Sequence, residues 1–282
     1  MIIRYAKPYD SMGCTAYVYR RNLKDTFYSG YMPLQHHSIR KELNQAIKNS
    51  QMLIAETRNL IQGILVYGKY DELSQAYDIA GPYVDSENVS LAVEMLEFMK
   101  NDLDEVLDFN FFFKENSSYY KKLMKRIGAT YNNHEYILRL KKENFNPLMH
   151  DDISVRKMLD SDASLIQSMH EDMFQNVYIS SEMVIKSKEA YLINLLDKTI
   201  GYAVVRNQQD RIYLELFGIT KEYRNKGFGR KALSRILEHT FNETSKTVCD
   251  LVVEAENRQA TKVYKDAGFE EISANLSYTL KA

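Results

Sequence analysis

The segment AETRNLIQGILVYGKYDELSQAYDIAGPYV, around Gly63, has the same layout as INLLDKTIGYAVVRNQQDRIYLELFGIT, around Gly201: strand, turn, strand, polar hairpin, strand. Downstream, FNFFFKENSSYYKKLMKRIGA resembles CDLVVEAENRQATKVYKDAGF, which sets Asn116 against Asn257 and Gly128 against Gly268. The three spacings are 138, 141 and 140 residues. Landmarks that recur at one period constrain a fold more than any local propensity, because each copy must then build the same supersecondary unit. A chain of 282 residues accommodates two domains of ordinary size. Between the copies, KKENFNPLMHDD contains an Asn-Pro dipeptide that disfavours a continuing helix. The domains are therefore set at 1–145 and 152–282, with a linker at 146–151.

The second copy is the more readable. ISVRKM opens as a strand, and DSDASLIQSMHEDMFQ follows as an amphipathic helix capped by Asp160, Ser161 or Asp162. EAYLINLLD, TIGYAVVRN and RIYLELFGI are separated by short polar turns and form an antiparallel meander. RKALSRILEHTF is a helix burying Leu233, Ile236, Leu237 and Phe241, and TVCDLVVEA is a buried strand. A last helix carries Ala260, Val263, Tyr264 and Ala267 along one side and stops at Gly268, and FEEIS and LSYTLKA close the sheet.

Between the third strand and its helix lies YRNKGFGRKAL, with Gly227 and Gly229 among four basic side chains. Glycine weakens a helix, so two at its mouth point to something that approaches the backbone closely. Free N–H groups at a helix N-terminus suit a phosphate, whereas a tight turn with a solvated basic face explains the same residues without one.

Arg224, Asn225, Lys226, Gly227, Phe228 and Gly229 match the pyrophosphate signature of the GNAT superfamily of N-acetyltransferases: Arg or Gln, two residues, Gly, one residue, Gly or Ala. A second motif of that superfamily, an Asn after the next strand, a helix bearing a Tyr, then Gly-Phe, stands as Asn257, Tyr264, Gly268 and Phe269. The second copy thus resembles a GNAT domain. The resemblance implies an α/β fold of the α+β kind: two GNAT-like domains, each a mixed, mostly antiparallel twisted sheet flanked by helices, with a β-bulge and splay at the acyl-CoA site. It implies acetyl-CoA as co-substrate, with pyrophosphate on the amides of residues 224–230, Arg230 and Lys231 near the phosphates, and the pantetheine arm along Phe217, Gly218 and Ile219. Gly218 is consistent with the bulge, and Asn257 belongs to the same cofactor site.

Acyl transfer needs a polarised carbonyl, a deprotonated amine and a stabilised leaving sulfur. Tyr264 holds the family's position for the last of these, although helical spacing with Ala260 and Ala267 also suits a packed tyrosine. Glu215 is the candidate base, a carboxylate in an apolar strand, alternating with Phe217 and Ile219. It faces either a wet cleft or the solvent side of the sheet. His170, Glu171 and Asp172 would attract a cationic amine if they border the cleft.

The first copy departs from the pattern. GPYVDSENVSLAVEML has no paired glycines, and places Asp85 and Glu87 where pyrophosphate would be repelled. Leu123 or Met124 stands where the other copy has Tyr264, so the first domain is read as degenerate. A net charge of −1 argues against a protein that coats nucleic acid, and weighs against an aminoacyl transferase using charged tRNA. No apolar run reaches the roughly 18 residues of a membrane span. Cys14 and Cys249 match no metal or redox spacing and read as reduced thiols in a cytoplasmic protein. His36 and His37 read as a surface loop, and no metal is expected. The reading is an N-acetyltransferase acting directly on a primary amine of a small molecule or protein. The alternative is a non-catalytic acyl-CoA-binding or sensing protein, and a homodimer stays open in either case.

Overall fold

The computed structural model describes residues 1–70, 72–103, 107–148, 152–175, 177–208 and 210–282, so part of the linker at 146–151 lies outside the described residues. The first copy runs β1 (Ile2–Tyr5), α1 (Ser11–Asn22), α2 (His36–Lys48), β2 (Met52–Thr57), β3 (Leu60–Gly68), β4 (Ala76–Val84), α3 (Val89–Asp102), β5 (Asp108–Lys114), α4 (Ser118–Ile127) and β6 (Thr130–Lys141). The second runs β7 (Ile153–Lys157), α5 (Ala163–Met173), α6 (Ser181–Ser187), β8 (Ala190–Leu195), β9 (Lys198–Asn207), β10 (Ile212–Ile219), α7 (Phe228–Glu243), β11 (Val248–Glu254), α8 (Arg258–Asp266) and β12 (Glu270–Leu280). The two orders are identical.

The repeat extends to side-chain detail. Arg4 grips Asp10 through both terminal nitrogens, and Asp10 accepts from the Lys7 amide at 2.8 Å. Arg156 grips Asp162 in the same way, and Asp162 accepts from the Leu159 amide at 2.7 Å. Each pair turns the chain from the first strand into its helix, with the carboxylate capping a short 3-10 turn. Ser117 and Asn257 cap α4 and α8 by accepting from Tyr120 and Ala260 amides. The counterpart of Asn257 is therefore Ser117 and not Asn116, which donates instead to Asp25 at 3.0 Å. His36 and His37 begin α2 rather than lying in a loop, because the chain is already helical there.

The compact units follow strand pairing. One comprises residues 1–134 with 274–282, the other residues 135–273. Within the first, the sheet order is β1-β2-β3-β4-β5-β12, with Asn275 to Leu280 opposite Lys114 to Phe109. Within the second it is β6-β11-β10-β9-β8-β7, with Glu135 to Lys141 opposite Glu254 to Val248. Each unit is closed by the last strand of the other copy, so the partition at 1–145 and 152–282 marks the repeat and not the packing. FEEIS and LSYTLKA are one strand, β12. All of these pairs are antiparallel except β4 with β5 and β10 with β11.

In the first unit β4 and β5 pair only from Ala76 opposite Asp108 to Asp78 opposite Asn110. Beyond that point the chain fills the gap itself. Ser29 bridges Phe113, the Gly30 amide donates to the Phe112 carbonyl at 2.8 Å, and the Ser29 hydroxyl donates to the Ile79 carbonyl at 3.4 Å. Asn22, 1% exposed, donates to the Met32 and Pro33 carbonyls and accepts from the Ser29 amide and the Tyr83 hydroxyl. This buried amide is fully used, which fixes the segment in place. The connection that supplies it, residues 23–35, is nearly twice as long as its counterpart, residues 174–180. No helix among the described residues is long and apolar enough to cross a membrane.

Asp78 sits where the strands part. Burial pushes its carboxyl up to about 6, against the opposing hydrogen bonds of Asn110 and Tyr31. A carboxyl raised on folding binds more protons in the native state than in the unfolded one between about pH 4 and 6. Stability is therefore fullest below that window and falls as pH rises through it. Asp78→Asn is expected to raise the melting temperature at pH 7.5, by up to about 2 kcal/mol of stability, and to change little at pH 4. Thermal melts of both proteins at the two pH values check this.

Candidate active site

In the second unit β10 and β11 are in register only at Ile212 with Cys249 and Tyr213 with Asp250. The strands then part, and among the described residues no strand pairs with the rest of β10 on that side. A bulge lies at the parting point: Leu214 faces Val205 and Leu216 faces Val204, so Glu215 is the extra residue. The bulge expected at Gly218 thus lies three residues earlier, at Glu215, and Gly218 pairs regularly with Tyr202. Gly218 is required by close approach instead, since a Cβ there would meet the Phe174 ring at 2.7 Å.

An extra residue reverses the alternation of the strand. Phe217 and Ile219 pack in the core shared with α7 and α8, together with Ile212 and Leu214. Glu215 does not share their face, contrary to the alternation read from the sequence. Its carboxylate accepts from Arg206, which also pairs with Glu189, and from the Tyr178 hydroxyl at 2.8 Å. The Glu215 side chain is 1% exposed, so it meets neither open solvent nor an open cleft directly.

The turn after β10 carries two left-handed residues, Asn225 at φ 61° and Gly227 at φ 81°. Asparagine tolerates this region and glycine is free in it. Gly227 caps α7, leaving the first amides of the helix without intrahelical acceptors. A Cβ built at Gly227 or Gly229 meets nothing within 4 Å. No neighbour forbids a side chain there, so the space over these amides is a cradle open to an anion. The basic side chains do other work. Arg224 donates to the Ile219 carbonyl at 2.7 Å, Arg230 pairs with Asp266, and Lys231 pairs with Asp152 at 3.0 Å. Asn225 accepts from Gln259 at 2.6 Å, while Lys226 lies over the Tyr223 ring. Phe228 also packs against Tyr223.

Tyr264 on α8 is 8% exposed, with its ring 6.5 Å from Phe217 and 5.8 Å from Phe269. Burial pushes its hydroxyl well up, so it stays protonated and able to donate. Among the described residues that hydroxyl has no hydrogen-bond partner, while Asn257 spends its side-chain oxygen on the cap of the same helix. His170 is buried and bonded to the Tyr202 hydroxyl at 2.6 Å, and burial pulls it below its ordinary range. A neutral, internal His170 gives no charge to attract or repel an amine, whereas Glu171 and Asp172 are exposed. Among the described residues no group of three His, Cys, Asp or Glu side chains could hold a metal ion.

Residues 157–269 match the acetyltransferase (GNAT) family. The second unit carries a GNAT domain. The family's chemistry is acyl transfer, generally from acyl-CoA. Solved structures extend the likeness in fold to the whole chain. A GCN5-related N-acetyltransferase from Sphaerobacter thermophilus superposes with a TM-score of 0.74 at 12% identity, over 99% of this chain and 95% of that one. A tandem GNAT protein from the clavulanic acid biosynthesis pathway gives 0.64 at 10% identity, over 99% and 98%. A GNAT-family acetyltransferase from Colwellia psychrerythraea gives 0.59 at 13% identity over the full length of both. No curated protein sequence matches the chain. The fold is that of a tandem GNAT protein, two GNAT-like domains in one chain.

The first GNAT-like domain lacks the cradle. Where the second has its glycine turn, Asp85 is paired with Arg21 and accepts from Tyr17 at 3.0 Å. The sequence reading missed Arg206, Tyr178, Gln259 and Asp266, whose partners are distant in the chain. For Arg206 one signal was available, its place four residues beyond Tyr202 on one face of β9.

Two outcomes follow from the cradle. Gly229→Leu is expected to leave the melting temperature unchanged or slightly higher, because a leucine replaces a helical glycine, while weakening CoA binding about tenfold or more. Titration calorimetry of the wild type is expected to find one CoA per chain, and two equivalent sites would show that the first domain also binds.

Proposed function

We propose that the chain transfers an acetyl group from acetyl-CoA directly to a primary amine of a small molecule or protein, with the donor held only by the second domain. The observation that carries this reading is the pairing of an amide-lined, Cβ-open turn at the start of α7 with the unpaired edge of β10 that leads to it. Arg224 bonds the end of that edge, which ties the glycine turn to the strand.

The donor residues are Phe217, Gly218 and Ile219 for the pantetheine arm and Asn225 to Arg230 for the pyrophosphate, through backbone amides. Acetyl-CoA supplies the activated acyl group as a thioester. Around it, the β10 backbone orients the carbonyl, and Phe217 with Tyr264 excludes water from one side. The Tyr264 hydroxyl, protonated and without an internal partner among the described residues, gives its proton to the departing sulfur in this reading. A direct route also suits the thiols. Cys14 is buried and pushed up to about 12, and Cys249 is buried in β11 with its thiol raised still further, so neither offers a thiolate to carry the acetyl group. Reduced thiols suit a cytoplasmic location.

One observation favours the binding-only reading: Glu215 is held by Arg206 and Tyr178 and cannot meet an amine directly. Release of free CoA with a panel of primary amines, with mass detection of the N-acetyl product, separates the two. Acetyl-CoA binding without product would leave the sensor reading. For the catalyst, Tyr264→Phe is expected to lower kcat by about 10² with CoA affinity nearly unchanged. The loss should shrink for a donor with a more acidic thiol, which needs less help to leave. A packed tyrosine would instead lose stability and keep kcat.

A further inference from the structure

We infer that Tyr178 is the group that takes the proton from the acceptor amine, with Glu215 as the sink behind it. This rests on the acetyl-transfer reading above and deepens it. Glu215 is the bulged residue at the point where β10 leaves β11, the place from which the strand edge becomes available. Yet its side chain is 1% exposed, whereas Tyr178, whose hydroxyl donates to Glu215 Oε1 at 2.8 Å, is 62% exposed. The phenol is the surface outlet of a carboxylate lying beneath it. Its segment also covers the adjoining stretch of β10, because Phe174 lies against Gly218.

The direction of the bond is fixed by charge. Arg206 donates to Glu215 as well as to Glu189, so the Glu215 carboxylate sits in an ion pair. An ionised carboxylate only accepts, so the Tyr178 O–H must point inward. The phenol oxygen can then accept an amine N–H. As the nitrogen lone pair bonds to the thioester carbonyl carbon, the N–H proton passes to Tyr178 Oη and the original Oη–H proton passes to Glu215 Oε1. The C–S bond breaks, its electron pair stays on sulfur, and the Tyr264 proton neutralises that sulfur. Proton removal and proton supply thereby fall on opposite faces of β10, since Tyr264 packs against Phe217. In this scheme Tyr178 touches the substrate, and Glu215 and Arg206 are positioning residues.

The test is a cycle of Tyr178→Phe, Glu215→Gln and the double variant, assayed with acetyl-CoA and an amine that the wild type acetylates. Each single variant is expected to lose about 10² in kcat, with CoA affinity unchanged, and the double variant is expected to be no worse than either single one. The solvent hydrogen isotope effect on kcat should fall in all three, a readout that packing alone would not move. Glu215→Gln disturbs a buried ion pair, so Tyr178→Phe at an exposed position carries the decision if that variant does not fold. A Tyr178→Phe protein with kcat within about twofold of wild type, or a double variant whose loss is the product of the single losses, overturns the relay and leaves acetyl transfer standing. A wild type that binds acetyl-CoA and acetylates no amine overturns both.

Discussion

A parallel strand pair that separates partway leaves a row of backbone donors and acceptors that must find other partners. Unpaired buried peptide groups cost about 1–3 kcal/mol each, so such a gap persists only if something fills or wets it. The chain meets this constraint twice and answers it differently. Between β4 and β5 the chain lays its own residues 26–32, with Ser29 bonding both strands. Between β10 and β11 the counterpart connection is shorter, and the β10 edge stays available. The length of one loop thus divides two copies of the same unit into a self-filled one and one that can take an extended ligand.

The same division appears at the mouth of the helix that follows. In the second copy, positive φ at Asn225 and Gly227 turns the amides outward over open space. In the first, the corresponding position is taken by Asp85 with Arg21 and Tyr17, an internal ion pair and phenol where an anion would need amides. In the first copy both the strand gap and this position are satisfied from within. The copies also exchange strands: β12, the last strand of the second copy, completes the first unit, as β6 completes the second.

What was readable in the sequence was whatever local chemistry dictates. The glycine turn, the α7 stripe of Leu233, Ile236, Leu237 and Phe241, and the left-handed stop at Gly268 depend on residues close in the chain, and the structure has them. Glu215 was noticed because a carboxylate in an apolar strand is anomalous, but its side of the sheet was not recoverable. A bulge reverses alternation, and its position is set by how β9 and β10 twist together. The basic residues of the turn were legible as a cluster but not as individuals. Arg230 and Lys231 find Asp266 and Asp152, carboxylates 36 and 79 residues away in the chain. Strand exchange between the copies was out of reach for the same reason, since a closing strand serves either sheet equally well by its pattern.

That use of the basic side chains changes the electrostatic character of the phosphate turn. Arg224 is bonded to Ile219 and Arg230 to Asp266, while the backbone amides and the helix dipole at the turn are fixed in direction and lose no side-chain entropy when an anion binds. The side chains hold the amides in place. Gln259 and Asp266 lie on the same helix as Tyr264, and both reach the turn, through Asn225 and Arg230. The helix that bears Tyr264 is therefore tied at its first and last turns to the glycine turn. The contacts that stabilise the turn also fix the position of Tyr264 relative to it.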